Sequence, residues 1–160
     1  MIIEGEFVVA IPADALLQQL FDARLMASCL PGCESLQAID DDRYQTVVAV
    51  SMAGIKARFE LQVEITGRDA REVRSVTRGD EGGRASTLHA QNVVTLEPLA
   101  PNGTSAARTR LRYRSDVSLT GRLGRFALGM MQKKAQGLGD EFAANLRARL
   151  EGPGHEGAPT

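Results

Sequence analysis

The sequence has little of what catalytic and metal-binding proteins are commonly built from. In 160 residues it has two histidines, two cysteines and no tryptophan, and aromatic residues make up 4%. His89 falls in a strand-like run and His155 among the last residues, so a Ser-His-Asp or Cys-His set would rest on His89 alone. A satisfied or partly exposed strand histidine is the better account. Cys29 and Cys33 form no disulfide framework, and their C-x3-C spacing lacks the second ligand pair of a zinc site. Both are expected to be buried free thiols. An excess of one charge is also missing. With 19 basic and 20 acidic residues the net charge is -1, so no global field favours nucleic acid. No run approaches the ~20 apolar residues of a membrane-spanning helix. Met1-Ile2-Ile3-Glu4-Gly5-Glu6 has no positive n-region followed by a cleavable apolar core, so the expectation is a cytoplasmic protein. No G-x-G-x-x-G or G-x-x-x-x-G-K-[ST] occurs, which removes the usual dinucleotide and phosphate loops.

What is present is an order of periodicities. Ile3, Gly5, Phe7, Val9 and Ile11 alternate with their neighbours as a strand does, and Pro12 ends the run. Asp14 then stands where an N-cap or first-turn acid would, and Leu16, Leu17, Leu20 and Phe21 repeat at helical spacing. A second short helix is expected over Ala23 to Cys29, broken by Pro31-Gly32. Strand-like runs follow at Ser35 to Ile39, Tyr44 to Met52, Ile55 to Thr66, Glu72 to Thr77, Ala85 to Leu96 and Thr104 to Leu119. Turn chemistry separates them: Asp40-Asp41-Asp42, Ala53-Gly54, Gly67-Arg68-Asp69, Gly79 to Gly83 and Pro101-Asn102-Gly103. Asn102-Gly103-Thr104 fits a glycosylation sequon but reads as a hairpin turn, and the three aspartates have an adequate role as a polar turn without calcium. From Leu123 to Leu150 the apolar positions recur three and four apart, a helical stripe ~40 Å long. Gly124, Gly129, Gly137 and Gly139 lie inside it, so a bend or frayed first turn is expected.

The pattern predicts an α+β protein: a curved antiparallel sheet of about seven strands wrapped around a long C-terminal helix, with two short helices after the first strand. One domain over 1–150 is expected, followed by a disordered tail over 151–160 that is too polar to bury. Alternation also assigns faces. Tyr44, Thr46, Val48, Val50 and Met52 share one side of their strand, and Ile55, Ala57, Phe59, Leu61, Val63 and Ile65 share one side of the next; these should face inward. In the last strand Thr109, Leu111, Tyr113, Ser115, Val117 and Leu119 oppose Arg108, Arg110, Arg112 and Arg114, an arginine row on the outer face.

A sheet that closes only partly on a helix tends to leave an elongated apolar space, and such spaces hold ligands. The candidate lining is Met26 from the second helix, Thr46, Val48, Val50, Met52, Phe59 and Leu61 from the middle strands, Leu111 and Tyr113 from the last strand, and Phe126, Met130 and Met131 from the last helix. Tyr113 or Thr46 could hydrogen-bond a ligand carbonyl. Leu119, Arg122, Leu123 and Arg125, with Phe126 and Met130, combine apolar and cationic groups suited to transient contact with anionic lipid.

Leu30-Pro31-Gly32-Cys33-Glu34, preceded by a helix and followed by an aspartate-rich turn and Tyr44, resembles the signature of the carbon monoxide dehydrogenase G-subunit family of the START-related helix-grip (SRPBCC) superfamily. Gly5 with Phe7 and Val9 before Pro12, Asp22 before the second helix and Gly121-Arg122-Leu123-Gly124 before the last helix match the same pattern, so the resemblance covers about residues 2 to 150. It implies a helix-grip fold and a small non-enzymatic accessory protein of a molybdenum hydroxylase of the carbon monoxide dehydrogenase type. It also implies a hydrophobic cavity for a quinone or lipid, no covalent cofactor, no metal, and peripheral association with the inner face of the membrane, for recruitment or electron delivery to quinone. Two other readings share the fold: an enzyme of the polyketide cyclase or aromatase kind, and a pure assembly factor docking through the four arginines.

Overall fold

Short polar turns between consecutive strands leave no room for crossover helices, and the strands pair accordingly, each antiparallel to its neighbour. In the computed structural model, which describes residues 1–52, 54–81, 86–99, 107–121, 123–125 and 128–151, the seven strands form one curved sheet. Of Met52, Arg125 and Leu128 only the backbone is described. The strands are β1 (Ile2–Val9), β2 (Cys33–Ala38), β3 (Arg43–Met52), β4 (Ile55–Arg68), β5 (Glu72–Glu81), β6 (Ser86–Leu99) and β7 (Arg108–Gly121). Their spatial order is β1-β7-β6-β5-β4-β3-β2, so only the first strand leaves its place in the meander, to pair with the last.

Helices α1 (Ala13–Leu20) and α2 (Ala23–Cys29) lie between β1 and β2, and α3 (Leu128–Glu151) follows a 3-10 turn over Leu123–Arg125. That 3-10 turn stands where the glycines predict a bend or a frayed first turn. Pro12 precedes α1 in an extended conformation, and Asp14 lies in the first turn as expected. Asp22 caps α2, its carboxylate accepting from the N–H groups of Arg24 at 3.0 Å and Leu25 at 3.3 Å. After α2 the chain reverses at Gly32, whose φ of 76° is a left-handed value, and a Cβ there would overlap the Ala49 carbonyl oxygen.

Several boundaries differ from the sequence reading: β2 starts at Cys33 instead of Ser35, and Gly67 and Arg68, expected in a turn, end β4. Gly79, Asp80 and Glu81, expected in a turn, continue β5, because Gly79 lies flat against the Glu60 backbone and Asp80 still pairs with both β4 and β6. Glu151, assigned to the tail, ends α3, and its carboxylate accepts the Ala10 N–H at 2.8 Å. Cys29 is buried as expected, but Cys33 is only half-buried, its thiol 3.3 Å from the Ser35 carbonyl. The aspartate turn satisfies itself: Arg43 donates to Asp40 at 2.9 Å and, with the Asp42 N–H, holds the Asp40 carboxyl below the usual range, while Asp42 pairs with Arg68 at 3.2 Å. Ala53, the expected turns at Gly82-Gly83 and Pro101-Asn102-Gly103, and the tail over 152–160 lie outside the described residues.

The core is uneven along α3. Its C-terminal half buries Leu146 and Leu150 against Val9, Leu16, Cys29, Leu96 and Leu111, each leucine contributing ~1.5–3 kcal/mol. Asn145 ties this end to α2 by donating to the Cys29 carbonyl at 2.9 Å. The N-terminal half covers the sheet without filling the space beneath it.

Candidate ligand cavity

Beneath the first half of α3 the inward faces of the strands stand back from the helix and leave two apolar lobes. The first, about 380 Å³, is walled by Val48 and Val50 of β3, Phe59 and Leu61 of β4, and Met131 of α3. The second, about 430 Å³, is walled by Met26 of α2, Ile65 of β4, Val94 of β6, Leu111 and Tyr113 of β7, and Phe142 of α3. They meet at a waist, since Ile3, Leu30, Thr46, Val63, Ser115 and Leu138 line both. An open groove of about 520 Å³ runs along the outer side of α3 past Ser51, Met130 and Lys133. It shares Lys134 and Leu138 with the first lobe, which makes it the candidate mouth.

Of the lining residues expected from sequence, Val48, Val50, Phe59, Leu61 and Met131 therefore stand in the first lobe, Met26, Leu111 and Tyr113 in the second, and Thr46 at the waist. The Met52 side chain and Phe126 lie outside the described residues, as do Arg122 and the Arg125 side chain. Met130 is a correction. It is 47% exposed and lines the outer groove, because at helical spacing its neighbour Met131 takes the inward position. Leu119 and Leu123 are corrections too: both turn inward to line the first lobe instead of facing a membrane. Leu123 is 3% exposed, packs with Ala57 and Phe59, and donates its N–H to the Ser86 hydroxyl at 3.1 Å, so it is held inside.

The two proposed hydrogen-bonding groups are also committed elsewhere. The Thr46 hydroxyl donates to the Ser35 carbonyl at 2.8 Å, leaving it no proton for a ligand carbonyl. Tyr113 contributes its ring, but its hydroxyl lies over Gly5 at the edge of the sheet. Burial, and secondarily the Asp140 carboxylate, push the phenol up in pKa.

Sequence reasoning missed a polar group in the middle of the apolar wall. Ser75, Asn92 and Ser115 are register partners across β5, β6 and β7, and Thr77 stands beside them. Asn92 Nδ2 donates to Ser75 Oγ at 3.2 Å and Thr77 Oγ1 at 3.1 Å, while Ser115 Oγ donates to Asn92 Oδ1 at 2.8 Å. The available signal was the alternation, which puts Asn92 on the face of Ala90, Val94 and Leu96; an amide at such a position needs partners.

The outer face is a different surface. His89 is exposed there, away from the lobes. The arginine row is partly neutralised: Arg110 lies 2.9 Å from Glu97 and 3.6 Å from Glu6, and Arg112 3.2 Å from Glu6. Arg108 is half-buried and Arg114 is exposed. Among the described residues no cluster of three or more His, Cys, Asp or Glu could hold a metal ion, and no helix is long and apolar enough to cross a membrane.

The family model for the G-subunit of carbon monoxide dehydrogenase (CoxG) matches residues 5–151. No curated protein matches the chain. Among solved structures, a conserved protein from Geobacillus kaustophilus superposes with a TM-score of 0.79 at 19% identity, covering 94% of this chain and 95% of that one. A START superfamily protein from Mycobacterium smegmatis gives 0.67 at 17% identity, covering 94% and 97%. The Zhui aromatase/cyclase from Streptomyces sp. R1128 gives 0.60 at 14% identity, covering 96% and 98%. These likenesses establish the expected helix-grip fold.

Proposed function

Because the chain belongs to the carbon monoxide dehydrogenase G-subunit (CoxG) family, we propose that it is a non-enzymatic accessory protein that holds a quinone or lipid in the cavity beneath α3. On this reading it serves a molybdenum hydroxylase of the carbon monoxide dehydrogenase type, aiding its recruitment to the inner face of the membrane or its electron delivery to quinone. The observation that carries the proposal is the pair of apolar lobes joined at a waist, a shape that suits a ring in one lobe and a tail in the other. Peripheral membrane contact is assigned to the mouth, where exposed Met130 stands beside Lys133 and Lys134, an apolar group flanked by cations.

An aromatase-like enzyme is the second reading, favoured by the likeness to the Zhui aromatase/cyclase. It needs an acid or base facing the substrate. Among the described residues lining the lobes there is no histidine and no carboxylate, which favours the carrier. A pure docking role through the arginines is disfavoured by Glu6 and Glu97, which already occupy Arg110 and Arg112.

Native mass spectrometry of the purified chain tests the carrier. The expected result is a co-purifying apolar molecule, or saturable uptake of added quinone. Protein recovered empty and indifferent to quinone overturns the proposal.

A further inference from the structure

The polar group at the centre of the cavity has hydrogens to spare, and counting them identifies what the cavity selects. Asn92 is fully committed. Its amide nitrogen donates to Ser75 Oγ and Thr77 Oγ1, and its oxygen accepts from Ser115. The Ser75 carbonyl, which can only accept, lies 3.5 Å from the same nitrogen, in keeping with this orientation of the amide. Ser75 and Thr77 therefore act toward Asn92 as acceptors. Each keeps its own hydroxyl hydrogen, and neither hydrogen has an acceptor among the described residues. Ser75 lines the second lobe and Thr77 the first, so the two free donors sit one on either side of the waist.

We infer that Ser75 and Thr77, oriented by Asn92, donate hydrogen bonds to an acceptor oxygen of the ligand, and that the cavity selects apolar molecules carrying a neutral carbonyl near their middle. Two hydroxyl donors without an adjacent cation suit a ketone, quinone or ester oxygen better than a carboxylate, which would call for a positive charge. Among the described lining residues the cations are Lys134, at the mouth, and the Met1 ammonium, which is already held by the Val117 carbonyl at 2.7 Å and by Asp116 at 4.0 Å. The inference rests on the apolar-cavity reading and adds a site of recognition to it. It also replaces Thr46, whose hydroxyl donates to the Ser35 carbonyl, and Tyr113, whose hydroxyl lies over Gly5 at the edge of the sheet.

The test compares two probes on the full chain: a short 2-alkyl-1,4-naphthoquinone and the alkylnaphthalene of the same size, which lacks the oxygens. Wild type is expected to bind the quinone about tenfold more tightly, the worth of two neutral hydrogen bonds. Ser75→Ala with Thr77→Val should bring the ratio of the two affinities to about one, whereas Thr77→Ser, which keeps a hydroxyl, should preserve it. If the double variant does not fold, Thr77→Val alone, nearly constant in shape, is read the same way with a loss of about threefold. Should both probes bind wild type equally, or the variant keep its preference, this inference fails and the apolar cavity stands. Should neither probe bind wild type, the cavity reading fails and takes this inference with it.

Discussion

Single residues carry two constraints that can be measured directly. Gly32 combines a left-handed φ with contact against the Ala49 carbonyl, so Gly32→Ala meets backbone strain and a steric clash at once. A loss of about 2 kcal/mol or more is expected, read as a lower urea midpoint. Cys29 sits beneath α1 and α3, and burial pushes its thiol up in pKa against smaller opposing pulls from the Ser28 hydrogen bond and Arg149. The native state thus holds this proton more tightly than the unfolded chain. Its contribution is complete below the unfolded thiol pKa of about 8.5 and is lost as pH rises through the higher native value. The urea midpoint should fall on the alkaline side from about pH 8.5, and Cys29→Ala should flatten the first part of that fall. A thiol reagent at neutral pH should label half-buried Cys33 well before Cys29.

At the scale of elements, α3 does more than cover the sheet. The exposed edge of β1 would be a template for pairing with another chain, and α3 closes it with two side chains one turn apart. Gln132 donates to the Ile2 carbonyl at 3.1 Å and Gln136 to the Glu4 carbonyl at 2.9 Å. Replacing both with Ala should cost about 1–2 kcal/mol and speed amide exchange in β1 more than in β4. These elements were largely legible in the sequence, because period-two runs divided by Gly, Asp and Pro have few alternatives to a meander. The pairing of β1 with β7 was not, since no local pattern records which distant strand closes an edge. Nor was the direction of Leu119 and Leu123. Apolar residues beside arginines read equally as a membrane-facing turn and as a core segment, and only the surrounding Ala57, Phe59 and Ser86 decide for the core.

Across the whole molecule, one end of the helix-grip is solid and the other hollow. Leu146 and Leu150 lock α3 against α1 and α2, so the first half of the helix can span the sheet without needing a filled interior. The alternating strands made most of the cavity's apolar wall readable. The polar centre was only half readable: alternation puts Asn92 and Ser115 on the inner face, but only cross-strand register shows that Ser75, Asn92 and Ser115 stand in line as partners. The two-lobed shape was invisible, being set by curvature and by which side chains meet at the waist. That shape gives the last prediction. Val63 lines both lobes, so Val63→Trp should plug the passage between them while adding apolar surface. Overpacking would cost ~1–3 kcal/mol at most sites, but here the added ring has empty space to occupy, so the melting temperature should change little. A ligand long enough to fill both lobes should lose at least tenfold in affinity, and one short enough for a single lobe should lose far less. Equal loss for long and short ligands would mean that the lobes act as separate pockets.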